Sequence, residues 1–300
     1  MIDALKTASR RRCGTVLAAA LFGLAAAVPA PAADRVAVIA AENIYGDVAA
    51  QIGGGHVAVT SLISNPSQDP HLFEATPSAV RAIADARIVI LNGADYDPWL
   101  EKLIKSAPNP QRAVVSAAAV MGRKPGDNPH LWYDPAAMPA FAKAFAAALS
   151  RTDPAHVADY ETRLQAVLAS LKPIDDKVAA MRGRYNGVPV TATEPVFGLM
   201  TDAIGLVNRN QSFQLAMMNE TEPGAKDVAA FESDLKRRTV KALISNTQVS
   251  EAMSKRMIAT AQAADVPVVG VTETLPAGRH FQDWVMSELD ALDKALGGSK

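Results

Sequence analysis

Between Asp153-Pro154 and Asn186-Gly187, the residues Val157, Tyr160, Leu164, Val167, Leu168, Leu171, Ile174, Val178 and Met181 recur three or four positions apart. That is the period of one amphipathic helix face, and the Asp-Pro and Asn-Gly pairs at its ends are start and stop signals. At 1.5 Å per residue the helix would run roughly 45–50 Å, with a kink expected at Pro173. Such a length is unusual in a globular domain, and the segment reads as a backbone joining two lobes. The alternative is two helices broken at Pro173.

Both flanks of that segment alternate short aliphatic runs with helical patterns. Val36–Ala41, Val57–Ile63 and Arg87–Asn92 read as strands before it, with helices near Ile44–Ile52, Pro77–Ala86 and Asp97–Ser106. After it, strands are expected at Val188–Thr193, Lys241–Asn246 and Val266–Val271, with helices near Val196–Ile204, Ala225–Arg237, Ser250–Ala264 and Phe281–Leu296. The expected fold class is α/β: two lobes, each a mainly parallel β-sheet flanked by helices, joined by one long backbone helix. In such sheets ligands collect beyond the carboxyl ends of the strands.

The first residues have the layout of an export signal. Arg10, Arg11 and Arg12 precede an apolar run from Val16 to Val28, and Ala30-Pro31-Ala32-Ala33 follows. The run is shorter than the roughly 20 residues that span a bilayer. The expected organisation is therefore 1–33 signal peptide, 34–152 N-terminal lobe, 153–186 linking helix and 187–300 C-terminal lobe. Cys13 is the one cysteine and would leave with the signal, excluding disulfides and thiolate sites from the exported chain. Losing Lys6 and the three arginines against Asp3 moves the formal charge from −1 to about −4. A mildly acidic protein is a poor partner for nucleic acid.

Two short segments repeat one chemical idea. Asp69-Pro70-His71-Leu72-Phe73-Glu74-Ala75-Thr76-Pro77-Ser78 is echoed by Asn128-Pro129-His130-Leu131-Trp132-Tyr133-Asp134-Pro135. In each, proline fixes the backbone before a histidine, an aromatic follows, and Thr-Pro or Asp-Pro reads as a helix N-cap and first residue. A rigidly held imidazole on a loop suits metal coordination, because little freedom is left to lose when an ion binds. Glu194 directly follows the strand Val188–Thr193, and Glu273 follows Val266–Val271, so both fall where the fold gathers ligands. Glu194 could instead cap the helix after Pro195, and Glu273 could be a solvated loop carboxylate. Glu74 and Asp134 read either as partners orienting the imidazoles or as helix caps. His56, His156 and His280 read as surface residues.

The chain resembles the periplasmic solute-binding proteins of ABC importers for zinc and manganese, the cluster with a rigid interdomain helix. Ala40–Gly46 with Asp47, Asp69–Ser78, Asn92–Trp99, Asn128–Pro135, Thr191–Phe197, Glu220–Asp227 and Asn246–Ser250 carry the resemblance, which spans essentially the whole exported chain. It implies a non-enzymatic, monomeric periplasmic carrier that takes a divalent Mn2+ or Zn2+ ion and delivers it to an ABC transporter membrane permease. It also implies four metal ligands: His71, His130, Glu194 and Glu273. The third position is His in many zinc binders and Glu in manganese binders; the fourth is usually Asp, so Glu273 is a departure.

Two imidazoles and two carboxylates cancel the charge of a divalent ion and suit first-row metals, the set favouring Mn2+ slightly over Zn2+ for the cargo. A secreted metallohydrolase would need an open coordination position, and no His-Glu-x-x-His helix is present. No Gly-x-Ser-x-Gly elbow points to a serine nucleophile. A haem- or siderophore-binding protein of similar architecture is the nearest rival, and a surface adhesin role rests on family analogy alone.

Overall fold

A computed structural model of the chain describes residues 35–65, 73–249 and 251–297. The expected signal peptide and His71 lie outside the described residues. Two four-stranded sheets, both wholly parallel, form the frame. The first contains β1 (Val36–Glu42), β2 (Val57–Ile63), β3 (Ile88–Leu91) and β4 (Ala113–Ser116) in the order β2-β1-β3-β4. The second contains β5 (Pro189–Ala192), β6 (Val207–Arg209), β7 (Leu243–Asn246) and β8 (Val268–Val271) in the order β6-β5-β7-β8. The two sheets share one winding. In each the strand order reverses beside the first strand, so a crevice opens at the carboxyl ends of β1 and β3 and again at those of β5 and β7.

Around the first sheet run α1 (Asn43–Gly53), α2 (Pro77–Asp85), α3 (Pro98–Ser106), α4 (Ala117–Val120) and α5 (Ala137–Thr152). After the long α6 (Val157–Tyr185) come α7 (Gly198–Ile204), α8 (Gln211–Met218), α9 (Ala225–Lys236), α10 (Ala252–Ala263) and α11 (Phe281–Gly297). The central strands β1, β3, β5 and β7 are covered on both faces, as is usual in parallel sheets. Period-two alternation divides β1 cleanly. Val38 and Ala40 join the main core, while Ile39 and Ala41 face the opposite layer with Ile83, Val89, Leu91 and Leu100.

The expected strands account for six of the eight. The two additional ones, β4 and β6, are edge strands of four and three residues, and Val114 and Val207 stay about half exposed. An edge strand covered on one side needs no strong apolar run, which is why neither stands out in the sequence.

The long helix is continuous through Pro173, not two helices, and a 3-10 turn over Pro154–His156 leads into it. Its buried residues are Tyr160, Leu164, Val167, Leu171, Ile174, Val178 and Met181, a single narrow stripe at alternating four- and three-residue steps. Pro173 sits on the solvent side, where water can serve the Ala169 carbonyl that proline leaves without its helical donor. One unbroken apolar cluster runs from Val38 and Ile90 through this stripe to Val190, Ile244 and Val271. The two sheets thus share a core instead of meeting across a solvated hinge. A polar seam reinforces it: Lys177 pairs with Asp290 (2.7 Å) and Asp293 (2.8 Å), and Arg184 with Asp293 (2.9 Å).

Candidate metal centre

The ends of β1, β3, β5, β7 and β8 supply the site. After β3 the chain turns through Gly93, Ala94 and Asp95, all at positive φ, before presenting Tyr96. Positive φ costs little at Gly93 and more at Ala94. The buried Asp97 carboxylate holds the turn by accepting the N–H groups of Asn92 and Gly93, each at 2.7 Å. Burial raises the pKa of Asp97 to about 6 despite those bonds. Beside it, at the end of β1, Glu42 is wholly buried with its carboxyl facing Asp97. Burial, and then the neighbouring Asp97 charge, push its carboxyl well above the ordinary carboxylate range.

His130 is set by its own loop. Asn92 Nδ2 donates to the Pro129 carbonyl (2.8 Å), and Asn92 Oδ1 accepts the Tyr45 hydroxyl (2.6 Å), which fixes the backbone entering the histidine. Asn128 then orients the ring. Its Nδ2 donates to the Pro195 carbonyl (2.8 Å), so its Oδ1 faces His130 Nδ1 at 2.8 Å and takes that nitrogen's proton as a hydrogen bond. Nδ1 is therefore the donor, and in the neutral ring Nε2 carries the lone pair. The ring is fully buried, edge-on to Tyr96 (5.8 Å) and Trp132 (5.5 Å). His130 Nε2 points at Glu273 Oε2, 3.3 Å away.

The second sheet supplies the acids. Glu194 directly follows Thr193 after β5 and makes no side-chain cap to the 3-10 turn Pro195–Phe197 that it precedes, so the capping alternative does not hold. Glu273 is fully buried, which removes the reading of a solvated loop carboxylate. Asn246, at the end of β7, donates its two Nδ2 protons to Glu194 Oε2 (2.8 Å) and Glu273 Oε1 (2.6 Å). Tyr96 donates to Glu273 Oε2 (2.9 Å); burial, then the Glu273 charge, raises the phenol's pKa well above its ordinary value and keeps it a donor. Gln248 Oε1 accepts the Glu273 and Thr274 N–H groups.

His130, Glu194 and Glu273 are therefore brought to one place, His130 and Glu273 directly and Glu194 through Asn246. Among the described residues no three His, Cys, Asp or Glu side chains close into a metal-holding cluster. The arrangement nonetheless concentrates two carboxylates and an imidazole lone pair out of water. A basic nitrogen and a carboxylate oxygen 3.3 Å apart repel unless a proton or a cation lies between them. Asn128, Asn246 and Tyr96 had no individual role in the sequence reading, although each falls within or beside a segment matching the family pattern. Asp134, by contrast, bonds the Ala136 N–H (3.0 Å) and pairs with Arg123 (3.2 Å), so it shapes its turn and Asn128 does the orienting. Thr76 caps α2 through the Ala79 N–H, as expected, and Glu74 is exposed. His280 is exposed, whereas His56 and His156 are half-buried and stacked at 3.9 Å.

A buried acid supports the Glu273 loop from behind. Glu288 on α11 accepts the Thr272 N–H (3.1 Å) and Trp284 Nε1–H (2.9 Å), and its Oε2 lies 2.7 Å from the Tyr133 hydroxyl. That hydroxyl also reaches the Thr272 carbonyl at 2.6 Å, and its one proton cannot serve both. With the phenol donating to Thr272, a protonated Glu288 completes the set by donating to the phenol oxygen. Burial raises its pKa from 4.5 to about 8 accordingly. The folded state then holds a proton that the unfolded state has released, so this contribution is complete below 4.5 and is lost as pH rises through about 8. Glu288→Gln, with an amide N–H replacing the acid proton, is expected to flatten the fall in melting temperature between about pH 5 and 8. An unchanged slope in thermal scans would reject this assignment.

Like-wound parallel sheets with facing polar loops and a shared spine define a two-sheet ligand-binding protein. Residues 38–295 match the family described as ZnuA, zinc-uptake complex component A, periplasmic, and the chain belongs to that family. It is a metal-binding substrate-binding protein of the ABC-transporter type and not an enzyme. The chain is 22% identical over 291 residues to a manganese ABC transporter substrate-binding lipoprotein of Streptococcus mitis, covering 89% of this chain and 91% of the relative. It is 29% identical over 167 residues to an iron-binding protein of Yersinia pestis, covering 54% of this chain and about half, 52%, of that relative. In fold it is similar to the periplasmic zinc-binding protein TroA of Treponema pallidum, with a TM-score of 0.74 at 20% identity, covering 87% of this chain and 99% of that one.

Proposed function

We propose that this chain captures a divalent first-row metal ion with His71, His130, Glu194 and Glu273 and delivers it to the membrane permease of an ABC importer. The observation that carries the reading is the His130 Nε2 lone pair held against Glu273 by Asn128, with Glu194 tied to the same carboxylate through Asn246. Full burial of His130 and Glu273 suits a dehydrated ion better than a haem or siderophore. On this reading 34–152 and 187–300 act as two lobes about 153–186, after export on 1–33 to the periplasm, and the carrier works as a monomer. The continuous core argues for release by small loop and lobe shifts instead of wide hinge opening.

Relatives named for manganese, iron and zinc frame the choice of ion. Two imidazoles with two carboxylates favour Mn2+ over the imidazole-rich alternative, although Zn2+ binds most nitrogen-oxygen sites more tightly. Elemental analysis of protein purified from the periplasm without added metal tests the carrier reading, and an empty protein that also fails to bind in chelator competition would end it. Glu194→His tests the preference. It replaces a hard anionic oxygen by a borderline nitrogen, so the ratio of zinc to manganese affinity is expected to rise, mainly through weaker manganese binding. An unchanged or lower ratio in paired titrations would mean that Glu194 does not set it.

A further inference from the structure

One face of α1 grips the segment that carries Glu273. Asn43 and Asp47 lie one helical turn apart and face the stretch between β8 and α11, some 230 residues away in sequence. Asn43 engages both polar groups of the Leu275 backbone: its Nδ2 donates to the Leu275 carbonyl (2.7 Å) and its Oδ1 accepts the Leu275 N–H (2.9 Å). Asp47 Oδ2 accepts the Phe281 N–H (2.9 Å), an N–H of the opening α11 turn, and its Oδ1 lies 2.7 Å from His280 Nδ1. Glu273, two residues before Leu275, is thereby held from the first sheet as well as from its own.

We propose that Asn43 and Asp47 are positioning residues for Glu273: together they latch the 273–281 segment onto α1, and opening of this latch controls how fast bound metal leaves. The proposal rests on the carrier reading above. The two-point clasp on Leu275 fixes where the Glu273 backbone stands relative to His130, which belongs to the other sheet. With the clasp lost, Tyr96 still reaches the Glu273 carboxylate from the first sheet while Gln248 holds the Glu273 N–H within the second, and the carboxylate withdraws more readily with that sheet.

The test uses the full exported chain with Asn43→Ala and Asp47→Ala, each alone and combined with Glu273→Ala. Zn2+ release into excess chelator is expected to accelerate roughly tenfold in each single variant, the usual scale for groups that hold a ligand in place. Association should change less than about twofold. In the Glu273→Ala background, Asn43→Ala should add less than about twofold, because the residue acts through the missing carboxylate. Unchanged release, or full additivity with Glu273→Ala, would overturn the latch. Hydrogen exchange in the metal-free protein supplies an independent reading: amides of 273–281 should lose protection in both variants, and unchanged exchange also overturns it. Wild-type protein that binds no Zn2+ would defeat the carrier reading instead, leaving the exchange result to decide whether the clasp exists.

Discussion

His130→Ala is expected to lower metal affinity by about two to three orders of magnitude. Structural metal sites with four protein ligands bind with free energies of roughly 10–16 kcal/mol, so one ligand carries about 2.5–4 kcal/mol of the total. His71→Ala, which removes the proposed partner imidazole, should lose a similar amount. The two variants differ in their effect on the fold. His130 is fully buried between Tyr96 and Trp132, so alanine leaves a hole, and the metal-free protein should lose about 1–3 kcal/mol of stability. His130→Gln separates the effects, since its amide refills part of the space but is a poor donor to a transition metal. It should lose nearly as much affinity with a smaller fall in melting temperature. Competition against a chelator of known strength, alongside thermal scans, measures both. Wild-type affinity in either His130 variant would remove it from the site.

The frame was legible in the sequence because long-period signals survive averaging. Seven buried positions repeat over 29 residues of α6, and six strands carry enough aliphatic residues to stand out. The edge strands β4 and β6 lacked that burial and hence that pattern. His130 therefore lacked an evident strand before it, and only the echo of the His71 loop marked it. The acids were found by a topological rule, since Glu194 and Glu273 follow strand ends where parallel sheets gather ligands. What could not be read was the set of neutral side chains that hold them. Asn246 bonds residues 52 and 27 positions away, and Asn128 bonds Pro195, 67 positions on. No periodicity or local turn rule connects such residues: the packing of β5, β7 and β8 in one sheet puts Asn246 within reach of the two acids, and the approach of the Asn128 loop to the turn after β5 does the same for Asn128 and Pro195.

Asn246→Leu is expected to show how much of the fold's stability depends on those neutral partners. The change keeps the side chain's volume but removes both N–H donors, leaving Glu194 and Glu273 together in a buried site without the group that joined them. Hydrogen bonds to charged groups contribute about 1.5–3 kcal/mol each, and burial makes their loss more costly than at a surface. The metal-free protein should lose about 2–4 kcal/mol, equivalent to roughly 5–10 °C in melting temperature for a chain of this size. Bound metal should recover much of that loss, because a divalent cation meets the same two carboxylates that Asn246 otherwise satisfies. The bond from the Gln248 N–H to Asn246 Oδ1 (3.0 Å) disappears in both states and cannot account for a difference between them. The rise in melting temperature on adding Mn2+ or Zn2+ should therefore be larger for the variant than for wild type. Thermal scans with excess chelator and with excess metal decide the matter: an equal fall in both conditions would mean that Asn246 supports the β7 end without serving the carboxylates, and that the cation and the amide do not share a task.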